Sequence, residues 1–440
     1  MSTVGFISLG CPKNQIDGEC LLALLDANGF EIADPYDGVD AVIINTCGFI
    51  ESAKKEAIES ILDMSQLKEE GLIGKIIVTG CLAERYQDEI LNEMPEVDAV
   101  VGIGANGDIA DICRKVIDGE RIGCYPAKDK MPLNGERVLT TPEYYAYLKI
   151  ADGCNNCCTY CAIPSIRGRY RSREMDDIIE EAKSLAEKGV KELIVVAQDT
   201  TLYGKDIYGK LMLPELLAKL NEIDGIHWIR MLYCYPDEFT DELIEAMATL
   251  PKVLHYVDLP LQHADDEVLR RMNRRGTQQQ VKELIAKLRE RMPDIIIRTT
   301  FITGFPGESE EAFENLALFV NETEFDHLGC FAYSAEEGTP AAEFEDQLDE
   351  RTKLDRQDII MRDQYDIVAD KHNRLIGKKV EVIVEGYDAY TDSYTGRTYM
   401  DAPEIDCCIK FTSSDDYGEG DFCMVTIINT DEYDLIGEVE

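Results

Sequence analysis

The sequence predicts an α/β protein in three consecutive parts: an N-terminal parallel-sheet domain, a six-unit partial (β/α) barrel, and a small antiparallel β-barrel at the C-terminus. Three patterns along the 440 residues predict it. Up to residue 125 apolar strands alternate with helical patterns. Through the middle of the chain six apolar strands recur about 36 residues apart, and from residue 375 onwards apolar positions alternate singly, with glycine-containing turns between them. Strands separated by helices require right-handed crossovers and so pair in parallel. Short alternating strands favour hairpins.

In the first part, residues 1–125, three strand patterns each end in a cysteine: Gly5 to Cys11, Ala41 to Cys47 and Lys75 to Cys81, at spacings of 36 and 34. Helical patterns over 15–28 and 49–66 lie between them. A lone cysteine at a strand end is ordinarily a small buried hydrophobe. Three on the carboxyl edge of one parallel sheet, where open α/β sheets place their ligands, argue for a single shared site. Residues 126–142, with Pro126, Lys128, Asp129, Lys130, Pro132 and Asn134-Gly135, read as an exposed linker.

The second part, residues 143–374, has strand patterns at 147–151, 192–197, 228–234, 256–259, 295–302 and 328–333, with helical stretches such as 176–187 and 279–291 between them. Six such units fit a partial barrel, which leaves a lateral mouth for a large substrate. A doubly wound sheet has the same period, so spacing alone leaves both open. A helical pattern over 353–375 leads into the third part, 375–440, whose segments 379–384, 407–411 and 422–427 alternate as short strands.

Charge narrows the partners: 44 Lys+Arg against 86 Asp+Glu give −42 at pH 7. Such a chain is repelled by phosphate backbones and favours a basic partner. The last part is the most acidic, with 16 acids against 4 bases from Leu375 to Glu440. No run of 18 or more apolar residues occurs and the N-terminus enters a strand pattern directly, so neither a spanning helix nor a secretory signal is expected, and the cytoplasm follows. In that compartment 15 cysteines point to metal or catalysis and away from disulfides.

The segment Gly153 to Cys161 holds a C-x3-C-x2-C triad, Cys154, Cys158 and Cys161, just after the first strand of the middle domain. Three thiolates on one loop can hold three irons of a four-iron cluster and leave the fourth open for chemistry. Read as the pairs Cys154/Cys157 and Cys158/Cys161, the loop could instead bind zinc, but zinc ribbons separate their pairs by a dozen or more residues. Cys157 is then a bystander. Cys20, Cys113, Cys124, Cys234, Cys330, Cys407, Cys408 and Cys423 show no such arrangement and are read as core or surface residues. Arg167, Arg169, Arg171 and Arg173 alternate, so an extended segment would present four guanidinium groups on one face, for an anion or for neighbouring acids. Arg270, Arg271, Arg274 and Arg275 read as a solvated helix face.

The Gly153–Cys161 loop resembles that of radical S-adenosylmethionine (radical SAM) enzymes, and together with Cys11, Cys47 and Cys81 the chain resembles the methylthiotransferases among them. The resemblance spans the whole chain, including a C-terminal module similar to TRAM. It implies a radical SAM partial (β/α)6 barrel and two 4Fe-4S clusters, one on Cys11, Cys47 and Cys81, the other on Cys154, Cys158 and Cys161. The family's commonest residue at Cys157 is not cysteine. For S-adenosyl-L-methionine it implies contacts from Gln198, Asp199 and Thr200 at a strand end, and close backbone approach at Gly304 and Gly307. His263, after another strand, reads as a hydrogen-bonded residue at the same mouth.

The implied reaction is reductive cleavage of S-adenosyl-L-methionine to a 5′-deoxyadenosyl radical, hydrogen abstraction from an unactivated carbon, and transfer of a methylthio group to it. A low-potential electron donor and a sulfur donor are required. One branch of the family modifies adenosine in tRNA, the other the β-carbon of an aspartate in small-subunit ribosomal protein S12. An acidic TRAM disfavours tRNA and suits a basic ribosomal protein. The segments Ser8 to Asn14 and Gly396 to Asp406 also resemble the aspartate branch. S12, free or in the small ribosomal subunit, is therefore the expected partner, with a monomeric enzyme.

Overall fold

A computed structural model describes residues 2–439. The N-terminal domain is a six-stranded, wholly parallel sheet. Its order is Glu31–Ala33, Thr3–Ser8, Ala41–Thr46, Lys75–Gly80, Ala99–Val101 and Ile122–Cys124. The three strands that lead to cysteines are neighbours at its centre, as predicted. The other three are of three residues each, too short for a period-2 signal to rise above noise.

Six parallel strands follow in two three-stranded sheets: Tyr145–Lys149, Glu192–Val196 and Trp228–Met231, then Tyr256–Gln262, Ile296–Thr303 and His327–Ala332. Each sheet keeps its strands in chain order, without the reversal that defines a doubly wound sheet. The halves are stitched together by Leu254 N–H to Ile229 O at 2.9 Å and Cys234 N–H to Asp258 O at 2.9 Å. This is the partial (β/α)6 barrel. Its outward strand residues, such as Leu193, Val195, Val257 and Phe301, join the helices in one large core.

The C-terminal part is a closed five-stranded barrel built from Lys379–Asp388, Ser393–Thr398, Ile409–Thr412, Phe422–Asp431 and Asp434–Glu438. It seats on the amino ends of the barrel strands. Tyr145, Trp228, Tyr256 and Ile296, each the first residue of its strand, pack with Val382, Ile409 and Val425 in a shared core. Buried Glu192 accepts from Arg230 and from Arg397 at 2.7 Å each, and Asp406 accepts from Tyr256 and Arg298 at 2.6 and 3.2 Å. The predicted linker is not exposed throughout. Met131 is buried, and buried Arg137 donates to Glu19 at 2.6 Å and to the Tyr147 carbonyl at 2.8 Å, strapping the N-terminal domain to the barrel. Its Pro, Lys and Gly content correctly signals an irregular path; burial depends on partners distant in sequence.

Candidate active site

The N-terminal domain covers the opposite, carboxyl end of the barrel, and its cysteines face that seam. Cys11 caps the helix Pro12–Ala27, Cys47 follows the strand 41–46, and Cys81 opens the helix Cys81–Tyr86. Gly10, at φ 92°, is needed because a Cβ there would come within 2.5 Å of the Cys47 Cβ. Buried Asn14 ties the Cys11 turn down, donating to Leu9 O at 2.8 Å, while Asn45 donates to Asn14 O at 2.7 Å. Burial pushes the Cys81 thiol up to about 12, with the neighbouring Cys11 and Cys47 raising it further and Arg167 opposing. Burial likewise raises Cys47, with Cys11 adding to it. The three sulfurs therefore share one electrostatic site.

The second triad hangs on the loop after Ala151–Asp152. Cys154 and Cys158 are buried; Cys161 is half-buried. Burial raises Cys154 to about 11 and Cys161 to about 12, and in both the Cys158 sulfur adds to the shift. Backbone N–H groups of Asn156 and Ile163 donate to the Cys154 and Cys161 sulfurs at 3.4 and 3.5 Å. Cys157 is exposed, its sulfur turned to the Asn155 carbonyl, which fits a bystander and removes one ligand from the zinc arrangement. All 15 cysteines are free. Two sets of three cysteine sulfurs, with N–H groups and a guanidinium beside them that oppose the effect of burial, are a donor set that suits iron–sulfur ligation.

Arg167 joins the two. It ends the short helix Ile163–Arg167 that begins two residues after Cys161, and it lies fully inside the seam. Its guanidinium donates to the Cys81 sulfur at 3.2 Å, to Asn14 Oδ1 at 3.1 Å, to Asp152 at 3.3 Å and to Asp17. Lys149 pairs with the same two carboxylates. Ala162 and Ile166 pack against Cys81, so the triads lie on either side of one helical turn.

Family profiles match three segments: Uncharacterized protein family UPF0004 over residues 3–102, the Radical SAM superfamily over 148–320, and a TRAM domain over 376–439. The ribosomal protein uS12 methylthiotransferase RimO of a Thermoanaerobacter species is 49% identical over 439 residues, covering 100% of both chains. That of Caldanaerobacter subterraneus subsp. tengcongensis is 50% identical with the same coverage. The chain belongs to the RimO family. Among solved structures, the radical S-adenosylmethionine methyltransferase TsrM from Kitasatospora setae, with tryptophan substrate and a SAM analogue bound, aligns over 86% of this chain and 91% of its own at a TM-score of 0.59. At 14% identity that likeness is one of fold.

Within this RimO-family chain the other predicted residues separate into two groups. Gln198 and Asp199 reach the cysteine loop: Gln198 donates to Asp152 at 3.1 Å and its buried Oε1 has no donor, while Asp199 accepts from Asn156 at 2.9 Å. Burial raises the Asp199 carboxyl to about 6. Asp199, Asn155, Asn156 and Arg275 line a cavity of about 300 Å³ beside that loop. Thr200 instead turns inward and donates to Leu232 O at 2.5 Å. Both glycines are explained by protein contacts, since a Cβ on Gly304 would meet Lys353 at 2.3 Å and one on Gly307 would meet Asp346 at 2.5 Å.

His263 is a hydrogen-bonded core residue: Nδ1 accepts from Asp265 N–H, so the proton sits on Nε2, 3.1 Å from Glu308. The four alternating arginines do not share a face. Arg167 and Arg173 are buried in different networks, Arg171 donates to linker carbonyls, and Arg169 is exposed, because the first of them ends a helix. Of the second arginine set, Arg274 departs from expectation: it is buried, donates to Pro260 O at 2.6 Å and lies 4.3 Å from the Tyr235 ring centroid. Alternation marked Arg167 in the sequence; its bond to a cysteine 86 residues away had no sequence signal.

Proposed function

We propose that this chain is a radical SAM methylthiotransferase that adds a methylthio group to the β-carbon of an aspartate in ribosomal protein S12. The observation that carries the reading is the pair of cysteine triads on either side of one helical turn, with Arg167 bonded across it. Cys11, Cys47 and Cys81 would hold one four-iron cluster, and Cys154, Cys158 and Cys161 would hold the other. When bound, these clusters and S-adenosylmethionine supply the radical that removes a hydrogen atom and the methylthio group that replaces it.

The chain's own residues position and enclose. The donor-less Gln198 Oε1 would be free to accept from the methionyl amino group, and the Asp199 cavity would take the cofactor beside the cysteine loop. The Asp17–Arg167–Asp152–Lys149 network closes the seam against water that would quench a radical. Exposed acids of the C-terminal barrel, Asp388, Asp392, Asp415 and Asp416, favour a basic partner over tRNA. The enzyme acts as a monomer in the cytoplasm, supplied by a low-potential electron donor and a sulfur donor.

Anaerobically reconstituted protein is expected to hold about eight irons per chain and, with reductant, to release 5′-deoxyadenosine. Ribosomal protein S12 from cells lacking this chain is expected to lose its methylthio-aspartate by mass spectrometry. Persistence of that modification would sink the reading.

A further inference from the structure

Lys13 is the second residue of the 12–27 helix and is 7% exposed, yet among the described residues it forms no ion pair. Its neighbours at the same seam are paired: Lys149 with Asp17 and Asp152, Arg167 with the same two, Arg137 with Glu19 and Glu181. The Lys13 ammonium instead lies 3.2 Å from the ring centroid of Tyr233. The Tyr233 hydroxyl, the Cys11 sulfur and Asp258 favour its charge against burial, but no carboxylate is paired with it.

The ring is held there at a conformational cost. Tyr233 has φ 60°, an uncommon backbone for an aromatic residue, and persists because its N–H donates to Asp258 Oδ2 at 2.9 Å while its carbonyl accepts from Thr200 N–H at 3.0 Å. Asp258 favours the ammonium but makes no ion pair with it, because both of its oxygens are engaged. One oxygen takes the Tyr233 N–H and the other the Arg298 guanidinium at 3.1 Å. The ammonium, two residues from Cys11, thus lies against the loop that follows the third barrel strand, where the N-terminal triad meets the barrel mouth.

A cation in that place selects a carboxylate. In an aspartate side chain the β-carbon is bonded directly to the carboxyl carbon, so a group that grips the carboxylate also fixes the carbon that reacts. We infer that Lys13 binds the side-chain carboxylate of the target aspartate and so sets the choice of aspartate over asparagine. The inference rests on the S12 reading given above and deepens it, making Lys13 a substrate-binding residue contributed by the N-terminal domain to the barrel's site.

The test compares wild type, Lys13→Met and Lys13→Arg, cluster-loaded anaerobically and matched by iron per chain. Without reductant, fluorescence anisotropy measures Kd for an S12 peptide spanning the target aspartate and for its Asp→Asn version. Wild type is expected to prefer the aspartate peptide by about 30-fold; Lys13→Met brings the ratio within about 3-fold, chiefly by weakening the aspartate peptide, and Lys13→Arg recovers part of it. Should Lys13→Met fail to load iron, Tyr233→Leu is expected to lower the same ratio by about 3-fold. An undiminished ratio in Lys13→Met, or in Tyr233→Leu where that is the variant measured, overturns the anchor alone. With reductant and S-adenosylmethionine added, wild type that leaves the aspartate peptide unmodified overturns the substrate reading, and the anchor with it.

Discussion

Cys154, Cys158 and Cys161 fall within eight residues of one loop, whereas Cys11, Cys47 and Cys81 come from three strand ends spread over 71 residues. The local triad is arranged by a short stretch of backbone: two sulfurs take N–H groups from residues two positions away. The dispersed triad exists only while three strands keep their register, because one residue of slip moves a strand end by about 3.3 Å and flips its side chains to the other face. The same proposed ligand set is thus robust in one place and conditional on the fold in the other. Arg167, which leaves the local loop and bonds Cys81, couples the two.

Substitutions can separate the triads. Cys158→Ala is expected to abolish 5′-deoxyadenosine formation, a loss of at least about 1000-fold, while the N-terminal iron remains. Cys47→Ala is expected to retain S-adenosylmethionine cleavage and lose methylthio transfer; iron per chain and the two product assays read both. Arg167→Met leaves buried carboxylates short of a partner and is expected to cost about 3 kcal/mol, measured as a fall in the thermal midpoint, with iron lost first from the dispersed triad.

The seam at the other end of the barrel offers a contrast. Burial depresses His372 to about 4, against 6.5 for the free side chain, and its Nδ1 has no partner. Below 6.5 the unfolded chain binds a proton that the native protein refuses until about 4, so this stabilisation is present above 6.5 and is lost as pH falls through that window. The loss amounts to about 3 kcal/mol, and His372→Leu is expected to flatten it in urea titrations between pH 4 and 7. Smaller still, Asp415→Asn with Asp416→Asn is expected to raise KM for S12 by about 2-fold at low salt, an effect that vanishes at high salt. Cys157→Ser, the least of these, is expected to leave iron content unchanged.

Much of the fold was legible because periodicity survives in single sequences. The strand patterns at 192–197 and 295–302 match Glu192–Val196 and Ile296–Thr303 to within a residue at each end. The three-residue edge strands were not legible, and neither was the burial of Arg137, whose partners Glu19 and Glu181 lie 118 and 44 residues away. Lys13 illustrates the middle case: it stands inside the Ser8 to Asn14 motif, but the motif does not say that Tyr233 will lie under its ammonium. The glycines at 304 and 307 show the reverse, since a pattern read for a cofactor has a sufficient explanation in contacts with Lys353 and Asp346.

Cysteine spacing, strand period and charge balance determined, without coordinates, the two cysteine groups proposed as ligands, where helices alternate with strands and which end of the chain is acidic, because each is written in local order along the chain. The tertiary structure decided that the strand order is sequential and not reversed, that the two triads share one seam, and that Arg167 and Lys13 point into it. Those features depend on contacts between residues up to 220 positions apart, as for Lys13 and Tyr233, and chain closure over such distances leaves no periodic trace in the sequence.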